Sequence, residues 1–140
     1  MKIDNLDRVI EDYLIRNNNK LKINSNDILS GDVFIALQGR NIHGNKYIND
    51  ALKNGAKYVI TDKNVSSSIN ENIILLVDES LFFLLTIASK KRNSFRGKVI
   101  GITGSVGKTS VKENLKFLLS FESKVSASIK SYNNYLGVLI

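Results

Sequence analysis

Leu6, Val9, Ile10, Tyr13 and Leu14 recur at spacings of three and four, which predicts a helix over residues 6–14 that the Asn17-Asn18-Asn19 run stops. Residues 21–23 form a short strand candidate. Ser30-Gly31-Asp32 reads as a turn into the apolar run Val33-Phe34-Ile35-Ala36-Leu37, a buried strand that Gln38-Gly39 ends. A polar loop, RNIHGNK, then leads to a short helix over residues 48–54, with Gly55 as its C-terminal stop. Residues 58–60 and 73–77 are two further strands, separated by the polar linker DKNVSSSINEN, and a helix over about 79–91 closes this part. Strands alternating with helices predict an α/β layered sheet.

The basic and polar segment KKRNSFRGK sets a boundary near residues 92–97 and divides the chain into a first domain, 1–93, and a second part, 94–140. The second part opens with the apolar run 99–102, continues through a glycine-bearing loop, and shows a helical pattern at Val111, Leu115, Leu118 and Leu119. A weak strand at 124–126 and the segment SYNNYLGVLI follow. One strand, one helix and one short strand cannot build a doubly wound sheet, so this part is read as incomplete or as leaning on the first domain. No internal repeat or low-complexity tract is visible.

Composition narrows the chemistry. With 43% hydrophobic and 24% charged residues in 140, the chain has the makeup of a folded domain. It has no cysteine, so disulfides and thiolate metal sites are excluded, and its single histidine, His43, argues against a His-rich zinc site. The first residues lack the apolar core of a signal peptide, and the longest greasy run, residues 81–88, is too short to span a bilayer. The expectation is a cytoplasmic protein without membrane insertion. The net charge of +7 is unevenly spread: residues 1–93 hold 13 Lys and Arg against 11 Asp and Glu, while residues 94–140 hold 7 against 2. No Lys/Arg block interleaved with aromatics is present, so a polyphosphate is the expected partner rather than nucleic acid.

The loop GITGSVGKTS, residues 101–110, lies between the apolar run and the helical pattern, the strand-loop-helix context of a phosphate cradle. Gly104 and Gly107 allow a tight turn that points backbone N–H groups, together with the following helix N-terminus, at phosphate oxygens. Lys108 is the candidate to reach the β- and γ-phosphates, and Thr109 to supply a hydroxyl to a bound magnesium ion. The strict GxxxxGK[ST] pattern requires glycine at position 102, where Ile102 stands, so the match is to a variant loop, TGSxGKT.

Three segments together resemble the Mur ligase family of peptidoglycan synthesis. INSNDILSGDVFIALQGRNIHGNKYINDALKNGAKYVITD is similar to the family's uridine-nucleotide module, VIGITGSVGKTSVKENL to its ATP loop, and ASIKSYNNYLGV to a later segment that approaches nucleotide and substrate. The resemblance implies a small N-terminal α/β domain followed by the first strand, P-loop and helix of an ATPase domain. It implies an ATP- and magnesium-dependent ligation in which a carboxylate becomes an acyl phosphate and an amine displaces the phosphate. Within the family, the likeness points to the ligase that adds D-Ala-D-Ala to UDP-MurNAc-tripeptide, with the ligase that adds the third peptide residue as the nearest competitor and a non-catalytic nucleotide-binding module as the other reading. A monomer is expected.

Carried over residue by residue, Gly104, Ser105, Val106, Gly107, Lys108, Thr109 and Ser110 match the ATP loop, with Lys108 and Thr109 in the catalytic role and Thr109 on the metal. Ser25 matches a residue of the uridine-nucleotide site in a motif usually written D-[ST]-R, which here reads Asn24-Ser25-Asn26. A later D-G-H reads His43-Gly44-Asn45, which makes His43 and Gly44 substrate-binding candidates. Asn133 and Asn134 match the family's paired asparagines. Family members run for several hundred residues, so the 140-residue chain alone is expected to be inactive in ligation.

Overall fold

The structure, a computed structural model, describes residues 5–17, 20–66 and 69–128. Asn133 and Asn134 lie outside the described residues. The chain divides into two compact units on either side of the Ser94 to Phe95 link.

The first unit runs α1 (Leu6–Arg16), β1 (Leu21–Lys22), β2 (Val33–Ile35), α2 (Ile48–Lys53), β3 (Tyr58–Thr61), β4 (Ile74–Leu76) and α3 (Ser80–Ser94). Short 3-10 turns at Ser25–Asp27, Gly44–Tyr47 and Glu71–Ile73 link these elements. The four strands form one parallel sheet in the order β1-β2-β3-β4. Register sorts the side chains, because paired residues in adjacent strands share a face. Phe34 pairs with Val59 and Val59 with Ile74, and this row joins Ile28, Ile48 and Ala51 in one core beneath α2. Ile35 pairs with Ile60 and Ile60 with Leu75 on the opposite face. Tyr58 lies on that second face and meets the ring of Tyr13 edge-on at 6.0 Å, which puts α1 there. Helix α3 packs beside α1, buries Leu84 and Ile87, and is tied to α1 by Lys90 and Glu11 at 2.5 Å. Both faces are covered, as a parallel sheet requires, which explains why β2 reads as an unbroken apolar run rather than an alternating one.

The turn into β2 is fastened from several sides. Gly31 has φ +85°, a left-handed conformation that disfavours any side chain. The Tyr13 hydroxyl donates to the Gly31 carbonyl at 2.7 Å. Asp32 is buried, and its carboxylate accepts the Leu29 N–H at 3.0 Å and the Lys20 ammonium at 3.1 Å. The Lys57 ammonium sits 4.2 Å from the centre of the Tyr13 ring, a cation–π contact at the same edge of the sheet.

In the second unit the described regular element is α4 (Lys108–Leu119). Two expectations are corrected here. Residues 99–102 and 124–126 form no strand, because a strand is defined by a ladder and these residues pair with no neighbour among those described. Helix α3 also runs three residues past its expected end, to Ser94, with Lys91 and Arg92 in its last turn, where cations suit the helix dipole.

Candidate functional site

Parallel strands end on one edge, and the loops that leave that edge are where α/β sheets hold ligands. Residues 38–45 leave the end of β2 and fold back as a tight turn. Gln38 and His43 form an antiparallel bridge, the Gly39 N–H donates to the Ile42 carbonyl at 3.1 Å, and the Gly44 N–H donates to the Leu37 carbonyl at 2.8 Å. A Cβ on Gly44 would stand 2.8 Å from Ala36 Cα and 2.9 Å from Leu37 N, so only glycine lets the turn close on the strand end.

His43 is pinned within this turn. Its Nδ1 accepts the Asn45 backbone N–H at 3.1 Å, which leaves the proton of a neutral ring on Nε2. Nε2 lies 2.8 Å from Asp62 Oδ1, immediately after β3, and the His43 side chain is 9% exposed. The two atoms are in close contact without the alignment of a hydrogen bond. The other Asp62 oxygen accepts the Ser80 N–H at 3.1 Å, the first amide of α3. Partial burial raises the pKa of Asp62, but the Ser80 N–H and the His43 ring outweigh it and hold the carboxyl below its ordinary value. Asn45 continues the network: the buried Thr61 hydroxyl bonds its Oδ1, and Thr61 Oγ1 accepts the Lys63 N–H at 3.2 Å. Beside these residues opens a cleft of about 570 Å³ lined by Asp62, Lys63, Asn64, Leu76, Val77 and Asp78.

His43 and Gly44 share the turn after β2, and Ser25 lies in the 3-10 turn after β1. Ser25 is buried at the start of its 3-10 turn, and its carbonyl accepts Asn54 Nδ2 at 2.9 Å, at the C-terminal end of α2. Sequence reasoning missed Asp62. An acid directly after a parallel strand, in a chain with one histidine, was the available signal, but the pairing of residues 43 and 62 exists only once β2 and β3 lie side by side.

In the second unit, Gly107 caps α4 with φ +82°, and Gly104 has φ +148°. No side chain caps this helix, and its first backbone bond inside the turn runs from the Val111 N–H to the Gly107 carbonyl at 2.9 Å. The N–H groups of Lys108, Thr109 and Ser110 therefore have no acceptor within the helix. The Lys108 ammonium folds back and donates to the Gly104 carbonyl, so the loop holds its own cation over the turn. Ser105, Thr109 and Ser110 are exposed, and the Val106 side chain stands free at 91%. Among the described residues no group of three or more His, Cys, Asp or Glu could hold a metal ion.

The stretch that holds the parallel sheet, residues 19–82, matches the family model described as Mur ligase family, catalytic domain. The chain is 49% identical over 124 residues to the UDP-N-acetylmuramoyl-tripeptide–D-alanyl-D-alanine ligase of Rickettsia prowazekii, a match covering 89% of this chain and 27% of that protein. A 2,6-diaminopimelate-adding ligase of Rickettsia typhi is 38% identical, with 76% of this chain and 21% of that protein covered. Among solved structures, MurF from Thermotoga maritima in complex with ADP superimposes with a TM-score of 0.68 at 35% identity, over 86% of this chain and 27% of that one. A MurF from Acinetobacter baumannii gives 0.71 at 29% identity, over 85% and 26%. The chain thus spans about a quarter of the length of the relatives it matches. Among the described residues no helix is long and apolar enough to cross a membrane.

Proposed function

We propose that this chain is the nucleotide-handling front of a cytoplasmic, ATP-dependent ligase that adds D-Ala-D-Ala to UDP-MurNAc-tripeptide. The observation that carries the reading is the 49% identity to a tripeptide ligase across 124 residues, a stretch that takes in most of both units. In this reading the first unit holds the uridine nucleotide at the strand-end turn of His43 and Gly44, with Ser25, Asn133 and Asn134 as further contacts. The loop from Gly104 to Ser110 holds ATP.

The loop's own geometry fits a polyphosphate. A left-handed glycine opens the helix, its first three amides have neither an acceptor within the helix nor a side-chain cap, and an ammonium already rests against a loop carbonyl, close enough to be drawn to an anion instead. Lys108 would neutralise phosphate charge, and the Thr109 hydroxyl would take one position on a magnesium ion that keeps most of its water. ATP, when bound, supplies the phosphoryl group that turns a carboxylate into an acyl donor. Binding rather than ligation is expected of the 140 residues alone.

Calorimetric titration tests both halves. Wild-type chain should bind ATP with magnesium, and Lys108→Ala should abolish that binding, whereas unchanged affinity in the variant would remove the loop from the site. The choice between ligases rests on the peptide: tighter binding of UDP-MurNAc-tripeptide than of UDP-MurNAc-dipeptide supports this reading, and the reverse preference supports the diaminopimelate-adding relatives.

A further inference from the structure

We propose that Asp62 is a positioning residue for the strand-end turn, and that the His43 ring is the strut through which it acts rather than a ligand of the nucleotide. The inference rests on the reading that this turn contacts the uridine nucleotide.

Of the two ring nitrogens of His43, one is hydrogen-bonded inside the fold and the other is closed off by Asp62. Nδ1 accepts the amide of Asn45, two residues on, which shapes the turn, and Nε2 faces Asp62 Oδ1 at 2.8 Å. The side chain is nine-tenths buried, so a ligand would have to displace Asp62 to reach Nε2. Asp62 is held in turn by the first amide of α3, through Ser80. A carboxylate thus joins three elements: the end of β3, the start of α3 and the turn after β2. Such an outer support fixes the tautomer and orientation of an imidazole and, through it, the backbone to which the imidazole is bonded. Gly44 and Asn45 are the parts of the turn whose backbone this arrangement sets, and Gly44 admits no side chain against Ala36. Nucleotide recognition by the turn then falls to its main chain, held in place by a partly buried acid that follows β3.

The test uses the 140-residue chain with ¹⁵N-labelled histidine. In the free protein the His43 ring should show the tautomer with its proton on Nε2. A ring with its proton on Nδ1 overturns the strut. On addition of UDP-MurNAc-tripeptide, the amide signals of Gly44 and Asn45 should move while the ring nitrogens keep their shifts. Ring nitrogens that move with the ligand make His43 a direct contact and overturn the proposal.

Asp62→Asn and His43→Ala, each checked for folding by circular dichroism, should each weaken binding about tenfold. The double variant should lose about the same factor, because the two residues act as one unit. Losses that multiply to about a hundredfold, or an Asp62→Asn chain within twofold of wild type, defeat the inference while leaving the functional reading intact. A wild-type chain that does not bind the nucleotide at all defeats the functional reading and this role for Asp62 with it.

Discussion

Phe34 and Phe117 carry the same ring into opposite settings. The first is 1% exposed in the core between the sheet and α2, and the second is 64% exposed on α4. The contrast extends to their neighbours: Ile35, Ile60 and Leu84 are sealed in the first unit, while Val99, Val111 and Phe121 are open in the second. Apolar residues recur at helical spacing in both α1 and α4. Periodicity therefore tells which side of a helix seeks cover, and the covering layer is a separate matter of what else the fold supplies.

The sharpest way to break this comparison is to remove both rings. Phe34→Ala should cost about 3–5 kcal/mol in urea denaturation, enough to abolish the first unit's transition, because a buried ring leaves a cavity. Phe117→Ala should stay within about 0.5 kcal/mol, as for other exposed positions. Equal losses would mean that α4 is covered in solution. Gly44→Ala comes next. Its new methyl would press on the backbone of Ala36 and Leu37, which cannot swing aside, and overpacking of this kind costs about 1–3 kcal/mol.

Removing the hydroxyl of Tyr13 that fastens Gly31 is a smaller change. Tyr13→Phe should lower stability by about 1 kcal/mol, the net worth of one hydrogen bond, with the ring contact to Tyr58 retained. Acid titrates another tie in the first unit. The folded-state pKa of Asp62 is depressed, so its contribution is fully present above the unfolded carboxyl value and is lost as pH falls through the folded one. Thermal midpoints should decline below about pH 4, near the ordinary aspartate pKa, and Asp62→Asn should flatten part of that decline. The smallest change is expected at the exposed pair of Asp12 and Arg16, one helical turn apart at 3.2 Å, where Asp12→Ala should cost about 0.3–0.5 kcal/mol and less in high salt.

The sequence carried most of the first unit. Local patterns alone located α1, the short α2 behind Gly55, and the apolar runs that became β2 and β3, because each is set by burial of residues a few positions apart. What it withheld has a common cause. The apolar run at 99–102 has the look of a strand, yet a strand exists only with a partner, and the described residues offer it none. The site divides along the same line. Gly104, Gly107 and Lys108 announce themselves within a single loop, where a left-handed glycine precedes a helix start without a side-chain cap. Asp62 stayed hidden because its meaning depends on His43, 19 positions earlier, and on Ser80, 18 positions later. The tie between the Ser25 carbonyl and Asn54 Nδ2 likewise joins positions 29 apart, which no local pattern displays.

The sheet's margins carry a consequence for assembly. Among the described residues its outermost strands are β1, two residues long and ending in Lys22, and β4, three residues long. Margins so brief offer an incoming strand few free amides and carbonyls to match, which is one way natural sheets resist fibre-like stacking. Lateral extension by strand addition is therefore discouraged on both flanks.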